Sequence, residues 1–160
     1  MSDVGRLIVF DLDGVLVDTK MIHFEALNLA LAEVHPDLQI SMADHLSKYD
    51  GRDTRSKLAD LVLYGALSEK DVSYVWTRKQ QITSELLRVQ PANQDIFAVL
   101  SELKSAGLKI AIASNSIRST VESEIKRLGL SSLVDFSLSN EDVSLPKPHP
   151  EIYWKAMVLA

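Results

Sequence analysis

The sequence contains no cysteine and no long hydrophobic run. The absence of cysteine from the 160 residues excludes disulfide bonds, thiol catalysis and zinc sites with cysteine ligands. It also fits a reducing compartment, and we therefore expect a cytoplasmic protein. The apolar run at residues 7–10 is too short for the core of a signal peptide, and no uninterrupted stretch approaches the length of a membrane span.

Basic residues are outnumbered by acidic ones, since 17 Lys and Arg face 22 Asp and Glu and give a formal net charge of −5. The basic residues are also dispersed along the chain, whereas nucleic acids are bound by basic patches. We therefore expect no nucleic-acid partner, although a phosphate group can still be bound locally. With 46% hydrophobic and 24% charged residues, the composition is typical of one globular domain with room for a small insertion.

The order of the predicted elements indicates an α/β fold. Apolar spacing predicts the following elements, with approximate bounds: strand 6–10; helices 21–31, 41–49, 54–63, 71–89 and 95–106; strand 108–113; helix 117–128; strand 133–138; and a last helix from residue 151. This order predicts a doubly wound, parallel, Rossmann-like sheet. We expect residues 1–17 and 91–160 to form its core and residues 18–90 to form an inserted α-helical cap.

Two carboxylates one residue apart, Asp11 and Asp13, follow the first predicted strand. Open α/β sheets place their chemistry at the carboxyl ends of strands, where one carboxylate can attack an electrophile while the other handles the proton. Acidic side chains are rarely buried without a partner, and a divalent cation suits this pair best. The alternative is an Asx turn that leads to Gly14 and has no function.

Ser114 follows the second predicted strand at the start of a helix. Its hydroxyl and the amides of Asn115 and Ser116 can bind an anion of phosphate size there. An ordinary Ser-Asn-Ser helix cap is the alternative. Lys147 stands among three prolines, which fix the backbone around one cation. For this residue the alternative is a solvated lysine in a rigid loop.

Together these segments resemble the haloacid dehalogenase superfamily. The segment Phe10-Asp11-Leu12-Asp13-Gly14-Val15-Leu16-Val17-Asp18-Thr19 is similar to the first motif of that family. Ser114 is similar to the second motif, and Lys147 in its Lys-Pro-His-Pro context is similar to the third. The chain is most similar to the branch of β-phosphoglucomutases and phosphoglycolate phosphatases, which act on small phosphorylated metabolites.

The resemblance implies a magnesium-dependent phosphatase, a phosphoric monoester hydrolase, with a small metabolite such as a sugar phosphate as substrate. Asp11 would attack phosphorus and form an aspartyl-phosphate, and Asp13 would act as general acid and base. Ser114 would hold a phosphoryl oxygen, while Lys147 would neutralise charge in the transition state. Asp11 and Asp13, the latter through its backbone carbonyl, would bind Mg²⁺.

Substrate-binding candidates come from both predicted domains: Gly14, Gly51, Arg52, Ser114, Asn115 and Lys147. In the cap, Arg52 can reach a substrate phosphate or sugar hydroxyl, and Gly51 permits a tight loop. For His23, a structural or solvent-facing position is favoured over catalysis.

The resemblance also implies a fourth motif, a pair of acidic residues after a further strand, and the sequence stops before it. We therefore expect a C-terminally truncated chain that lacks the last strands of the family core and has reduced metal affinity and stability. The first strand would then form an exposed apolar edge suited to a homodimer or other self-association. Two alternatives to a phosphatase remain: a phosphomutase of the β-phosphoglucomutase type, and a catalytically incomplete fragment that binds phosphate.

Overall fold

The computed structural model describes residues 6–160 and contains a parallel three-stranded sheet. The strands are β1 (Leu7–Phe10), β2 (Lys109–Ala113) and β3 (Phe136–Leu138), and they lie in the order β1-β2-β3. Both neighbouring pairs are parallel, which confirms the predicted α/β fold with a parallel sheet.

The helices follow the predicted order, with most ends within two residues of the predicted ones. Their bounds are α1 (Lys20–Ala32), α2 (Met42–Asp44), α3 (Thr54–Leu63), α4 (Val72–Arg88), α5 (Gln94–Ser105), α6 (Arg118–Arg127) and α7 (Glu151–Leu159). Three short turns complete the description: a π-helical turn at His45–Tyr49 and 3₁₀ turns at Glu69–Asp71 and Asn140–Asp142.

The third strand is shorter than predicted. We predicted that it begins at residue 133, but residues 131–133 form a turn in which the amide of Leu133 donates to the carbonyl of Leu130 over 2.9 Å. Asp135 then accepts a hydrogen bond from the amide of Ile110 over 2.8 Å. The apolar side chain of Leu133 is buried by the turn, and this burial explains why its sequence pattern resembled a strand.

Strand β2 lies at the centre of the sheet because its sequence is apolar on both faces. Its last four residues, Ile110, Ala111, Ile112 and Ala113, are fully buried. A continuous apolar run of this kind is typical of a parallel strand that is covered on both sides. Truncating a buried side chain such as Ile112 to alanine is expected to cost about 2–5 kcal/mol of stability.

The chain divides into two compact units, and the first contains the sheet. It comprises the described residues up to Asp18 together with Pro91–Ala160. Helix α7 packs against the sheet through Ile152 and Ala156, which form a buried cluster with Ala113 and Leu138. This packing fixes the helix that follows the Lys147 loop.

The second unit, Thr19–Gln90, is helical. Helices α1 and α4 pack against each other, and the buried core includes Leu27, Leu31, Leu58 and Val75. In the described range 6–160, no helix combines the length and the apolar character that a membrane crossing requires.

Candidate active site

The candidate site is formed by the three loops that leave the carboxyl ends of β1, β2 and β3. The sheet register pairs Phe10 with Ile112 and Ala113 with Leu138. The three strands therefore end at nearly the same level, and Asp11 is the next residue after β1. Parallel pairing thus brings residues that are distant in the sequence to one edge of the sheet.

The loop after β1 is closed by its own backbone hydrogen bonds. The carbonyl of Leu12 accepts from the amides of Leu16 and Val17, over 2.9 and 3.0 Å, and the amide of Gly14 donates to the carbonyl of Val17 over 2.7 Å. Leu12 is fully buried and anchors this loop. Gly14 has a φ of +78°, a left-handed conformation that favours glycine, so it closes the loop beside the two aspartates.

Asp13 accepts hydrogen bonds from two serines of the loop after β2. The hydroxyls of Ser114 and Ser116 donate to its Oδ2 over 2.8 and 2.9 Å. The amide of Ser116 donates in turn to Oγ of Ser114 over 2.9 Å. Ser114 is fully buried, and its amide donates to the carbonyl of Leu138 over 3.0 Å, which ties the loop to β3. The structure therefore brings Asp13 and Ser114 into direct contact.

Sequence reasoning missed the side chain of Ser116, for which it considered the backbone amide alone. In the structure that amide is occupied by Ser114 Oγ, and the Ser116 hydroxyl contacts Asp13. Two hydroxyls separated by one residue in a tight loop can share one acceptor. The Ser-x-Ser spacing after a strand was the signal that could have found this contact.

The ammonium of Lys147 bridges Asp11 and the end of β2. Its Nζ lies 2.6 Å from Oδ1 of Asp11 and donates to the carbonyl of Ala113 over 3.0 Å. The amide of Leu12 donates to the same Oδ1 over 2.8 Å. The Lys147 side chain is 12% exposed and that of Asp11 is 37% exposed. A largely buried cation thus faces a carboxylate that solvent and small molecules can still reach.

Asn115 holds the backbone of Lys147 through its side-chain amide. Its Nδ2 donates to the carbonyl of Lys147 over 3.0 Å, and the amide of Lys147 donates back to Oδ1 of Asn115 over 2.9 Å. The contact of the Asn115 backbone amide with a substrate stays a prediction. The side chain instead joins the loop after β2 to the loop that follows β3.

Glu151, at the first turn of α7, binds the same loop from its other end. Its carboxylate accepts from the amides of Ser144 and Leu145 over 2.8 and 3.0 Å. The hydrogen bond from the Ser144 amide lowers the pKa of Glu151 below its ordinary value, and the bond from Leu145 adds to this. The carboxylate therefore remains charged as it orders the loop that carries Lys147.

Asp142 is the acid that orders the turn after β3. It accepts from the amide and the hydroxyl of Ser139, both over 2.8 Å, and from Arg118 over 2.5 Å. Burial raises the pKa of Asp142, but the hydrogen bonds from Ser139 and Arg118 outweigh burial and leave the pKa below its ordinary value. Asp142 is thus held as a charged structural group.

In the helical unit, Gly51 and Arg52 lie in the turn before α3. Gly51 has a φ of +71°, as a tight turn at this position requires. The guanidinium of Arg52 donates to Asp60 over 2.7 Å and to the carbonyls of Lys48 and Ser56 over 3.1 and 3.4 Å. The bond to Asp60 raises the pKa of Arg52 above its ordinary value. Arg52 is thus anchored inside this unit, and its contact with a substrate stays a prediction.

His23 on α1 contacts Lys79 on α4, with 3.2 Å between Nδ1 and Nζ. Lys79 is buried, whereas His23 is half-buried. The contact contributes to the packing between the two helices of this unit. It agrees with the structural position that we favoured for His23.

Asp11, and Asp13 through its backbone carbonyl, are the residues that would hold a metal ion at this site. Within residues 6–160, no group of three or more His, Cys, Asp or Glu side chains is arranged to hold one. Mg²⁺ commonly binds through one or two carboxylates and completes its shell with water and substrate phosphate oxygens. Two oxygen ligands at a partly exposed edge fit such an ion, and they do not form a complete protein cage.

The family of the chain follows from a comparison with protein-family models. The model described as haloacid dehalogenase-like hydrolase matches residues 8–159. The chain belongs to this family. The match includes the loops that carry Asp11, Ser114 and Lys147, and it confirms the resemblance drawn from the sequence around these residues.

Proteins named as phosphatases and as a phosphomutase are similar to the chain. The phosphoglycolate phosphatase of Aquifex aeolicus is 30% identical over 145 residues, which cover 91% of this chain and 65% of that protein. A phosphorylated carbohydrates phosphatase of Thermotoga maritima is 26% identical over 146 residues, which cover 91% and 66%. The crystal structure of a β-phosphoglucomutase from Clostridium difficile is 25% identical, with a TM-score of 0.77 and coverage of 93% and 67%. The chain thus spans about two thirds of the length of these relatives.

Proposed function

We propose that the chain acts as a magnesium-dependent phosphatase of a small phosphorylated metabolite, with sugar phosphates among the candidates. The observation that carries the proposal is the 2.6 Å contact between Lys147 Nζ and Asp11 Oδ1, next to an Asp13 held by two serine hydroxyls. A nucleophile, a proton carrier and a cation converge there at the edge where parallel sheets bind ligands. The similarity to two phosphatases supports the same reaction class.

In the first half-reaction, an Asp11 carboxylate oxygen attacks phosphorus and forms a new P–O bond. The bond between phosphorus and the leaving-group oxygen breaks, and Asp13 transfers its proton to that oxygen. Oδ2 of Asp13 accepts two hydroxyl donors, which hold the carboxyl group in place for this transfer. The products of this step are the dephosphorylated alcohol and an aspartyl-phosphate on Asp11.

In the second half-reaction, water attacks phosphorus while the Asp13 carboxylate takes a proton from it. The P–O bond to Asp11 breaks, which releases inorganic phosphate and regenerates the free Asp11 carboxylate and a protonated Asp13. Lys147 stabilises negative charge on Asp11 as it leaves, and Ser114 can donate to a phosphoryl oxygen. Asp11 and Asp13 thus act in both half-reactions.

The charge balance of the site favours a metal ion. Asp13 carries a proton when the substrate binds, so the charges of Asp11 and Lys147 cancel and leave no net positive charge to offset the repulsion between the Asp11 carboxylate and a phosphate dianion. Bound Mg²⁺ would offset this repulsion and polarise the phosphoryl oxygens. Asp11, and Asp13 through its backbone carbonyl, are the residues proposed to hold it.

We also propose that Thr19–Gln90 serves as the cap that selects the substrate. Its turn at Gly51 and Arg52 is rigidly built, because three acceptors hold the Arg52 guanidinium. A rigid turn with a donor-rich side chain suits recognition of a phosphate or sugar hydroxyl. Gly14, in the loop after β1, would let the substrate phosphate approach the backbone closely.

The test is a screen of phosphorylated metabolites for release of inorganic phosphate. Phosphoglycolate, hexose phosphates and pyrophosphate would each be incubated with the protein, with Mg²⁺ and with a chelator. We expect release for at least one compound in the presence of Mg²⁺ only, and its loss in Asp11→Asn, whose amide is a poor nucleophile. Release that survives in Asp11→Asn would exclude Asp11 as the nucleophile, and phosphate binding without turnover on any compound would leave a binding function.

A phosphomutase is the second candidate, favoured by the similarity to the β-phosphoglucomutase structure. Both reactions share the attack by Asp11 and differ in the acceptor of the phosphoryl group. Analysis of the products from a hexose 1-phosphate separates them, since a mutase yields hexose 6-phosphate and a phosphatase yields free hexose and phosphate.

A further inference from the structure

We propose that Asn115 is a positioning residue, whose side chain sets where the ammonium of Lys147 meets Asp11. This inference rests on the proposed function for its effect on turnover, but the placement of Lys147 can be measured without any substrate.

The two loops are joined by a pair of reciprocal hydrogen bonds. The carboxamide of Asn115 uses its donor and its acceptor on the carbonyl and the amide of the same residue, over 3.0 and 2.9 Å. Two reciprocal bonds to one residue define its orientation, whereas a single bond would leave it free to rotate. Asparagine suits this task because it places a donor and an acceptor in one plane.

The last residue of β2 and the loop after it hold Lys147 at both ends of its side chain. Asn115 fixes the backbone, and the carbonyl of Ala113, two residues earlier, accepts from Nζ over 3.0 Å. Hydrogen bonds therefore hold the flexible Lys147 side chain at its backbone and at its Nζ atom. The ammonium lies 2.6 Å from Oδ1 of Asp11.

The placement of Lys147 before substrate binds would matter in the chemical step. Electrostatic stabilisation of a transition state depends on donors that are already in position when charge develops. Lysine loses considerable rotamer freedom when it is ordered. A side chain that orders Lys147 beforehand removes that cost from the chemical step, so Asn115 is expected to affect kcat more than KM.

Asn115→Ala and Asn115→Asp test the inference. Alanine removes both bonds, and aspartate keeps the size and one acceptor but cannot donate to the carbonyl of Lys147. The first measurement is the acetylation rate of each lysine by acetic anhydride, followed by mass spectrometry, with exposed Lys70 as the internal reference. We expect Lys147 to react about fivefold faster in both variants, the factor that corresponds to one net hydrogen bond.

The second measurement is the kinetics on the best compound of the phosphatase screen. We expect kcat to fall about 10- to 100-fold in Asn115→Ala, the effect of a small misplacement of a catalytic group, with KM within about threefold of the wild-type value.

Asp135→Ala is the matched control, since it removes side-chain bonds to the amide of Ile110 and to Lys104, near the amino end of β2. It should lower stability and leave the Lys147 acetylation rate and kcat nearly unchanged.

An unchanged rate of Lys147 acetylation in a folded Asn115 variant would overturn the inference. A raised KM with unchanged kcat would also overturn it, because that result would indicate that Asn115 contacts the substrate. If the wild-type protein releases phosphate from no compound, the proposed function fails. The acetylation rates alone then decide whether Asn115 places Lys147.

Discussion

Ser116 and Asp13 are joined by a 2.9 Å hydrogen bond from the serine hydroxyl to Oδ2. Ser114 donates to the same oxygen over 2.8 Å. In the proposed reaction the Ser114 hydroxyl turns to a phosphoryl oxygen, and Ser116 remains as the donor that keeps Asp13 oriented. The two serines are therefore expected to differ in their kinetic effects, although they share one acceptor.

We expect Ser116→Ala to lower kcat about tenfold with KM nearly unchanged, because Asp13 loses the donor that remains after substrate binds. Ser114→Ala should raise KM as well, because it also removes a contact to the substrate phosphate. Steady-state kinetics on one substrate measure both effects. Ser116→Thr keeps the hydroxyl and serves as the control, and an equally inactive Ser116→Thr would contradict the explanation.

Lys147→Met is predicted to lower kcat about 10²- to 10³-fold, since it removes the charge that stabilises the transition state and keeps the length of the side chain. Lys147→Arg should recover little of this, because Asp11 Oδ1 and the Ala113 carbonyl converge on a single small ammonium. The measurement is kcat at saturating substrate and Mg²⁺. Lys104→Met, at an ion pair with Asp135, is the control, and a Lys147→Met protein with half of the wild-type kcat would refute the assignment.

Gly14→Ala is predicted to destabilise the protein by about 1–2 kcal/mol, the cost of a left-handed conformation for a residue with a Cβ. The space around Gly14 is open, with nothing within 4 Å of an added Cβ, so this cost would come from the backbone alone. Urea denaturation measures it. Gly14→Asn should cost less, because asparagine adopts this conformation more readily. Equal losses in the two variants would show that the conformation of Gly14 is not the cause.

His45 makes the stability of the helical unit depend on pH. It is fully buried beside Phe24, with 5.3 Å between the ring centroids. Burial lowers the pKa of His45, and the positive charge of Lys57 lowers it further. The folded protein therefore keeps His45 neutral at a pH where the unfolded chain, with a pKa of about 6.5, takes up a proton.

This difference in proton uptake determines whether stability rises or falls with pH. As the pH falls below about 6.5, His45 binds a proton in the unfolded state but not in the folded state. The stability of the wild-type protein therefore falls. His45→Phe lacks this group, and its stability relative to the wild type should rise between pH 7.5 and pH 5. Urea denaturation of both proteins measures the change, since the other titrating groups are shared. A constant difference across this range would mean that His45 is not the cause.

Much of the fold was predictable because its elements are marked by local residues. Gly107 and Gly129, both with positive φ, end α5 and α6 close to the predicted positions. The predicted bounds of α3 agree with the structure residue by residue. The start of β3 was predicted wrongly, because Leu133 is buried by a turn rather than by strand pairing.

Contacts within the candidate site were only partly predictable from the sequence. The parallel order of strands predicts that Asp11, Ser114 and Lys147 lie near one another, and the structure brings them to one edge. The bonds of Asn115 to Lys147 and of Ser116 to Asp13 depend on how two loops fold against each other. No local spacing encodes that arrangement, because the partners are 32 and 103 residues apart.

The pairing of Phe10 with Ile112 and of Ala113 with Leu138 would make the rate of the proposed reaction depend on strand alignment. Successive residues of a strand point to opposite faces, so a slip of β1 by one position would turn the Asp11 carboxylate away from the ammonium. Molecules with a shifted β1 would not contribute to the rate, although their circular dichroism spectrum would hardly differ from that of correctly paired molecules. The specific activity, at constant KM, would therefore measure the fraction of molecules with the correct strand register.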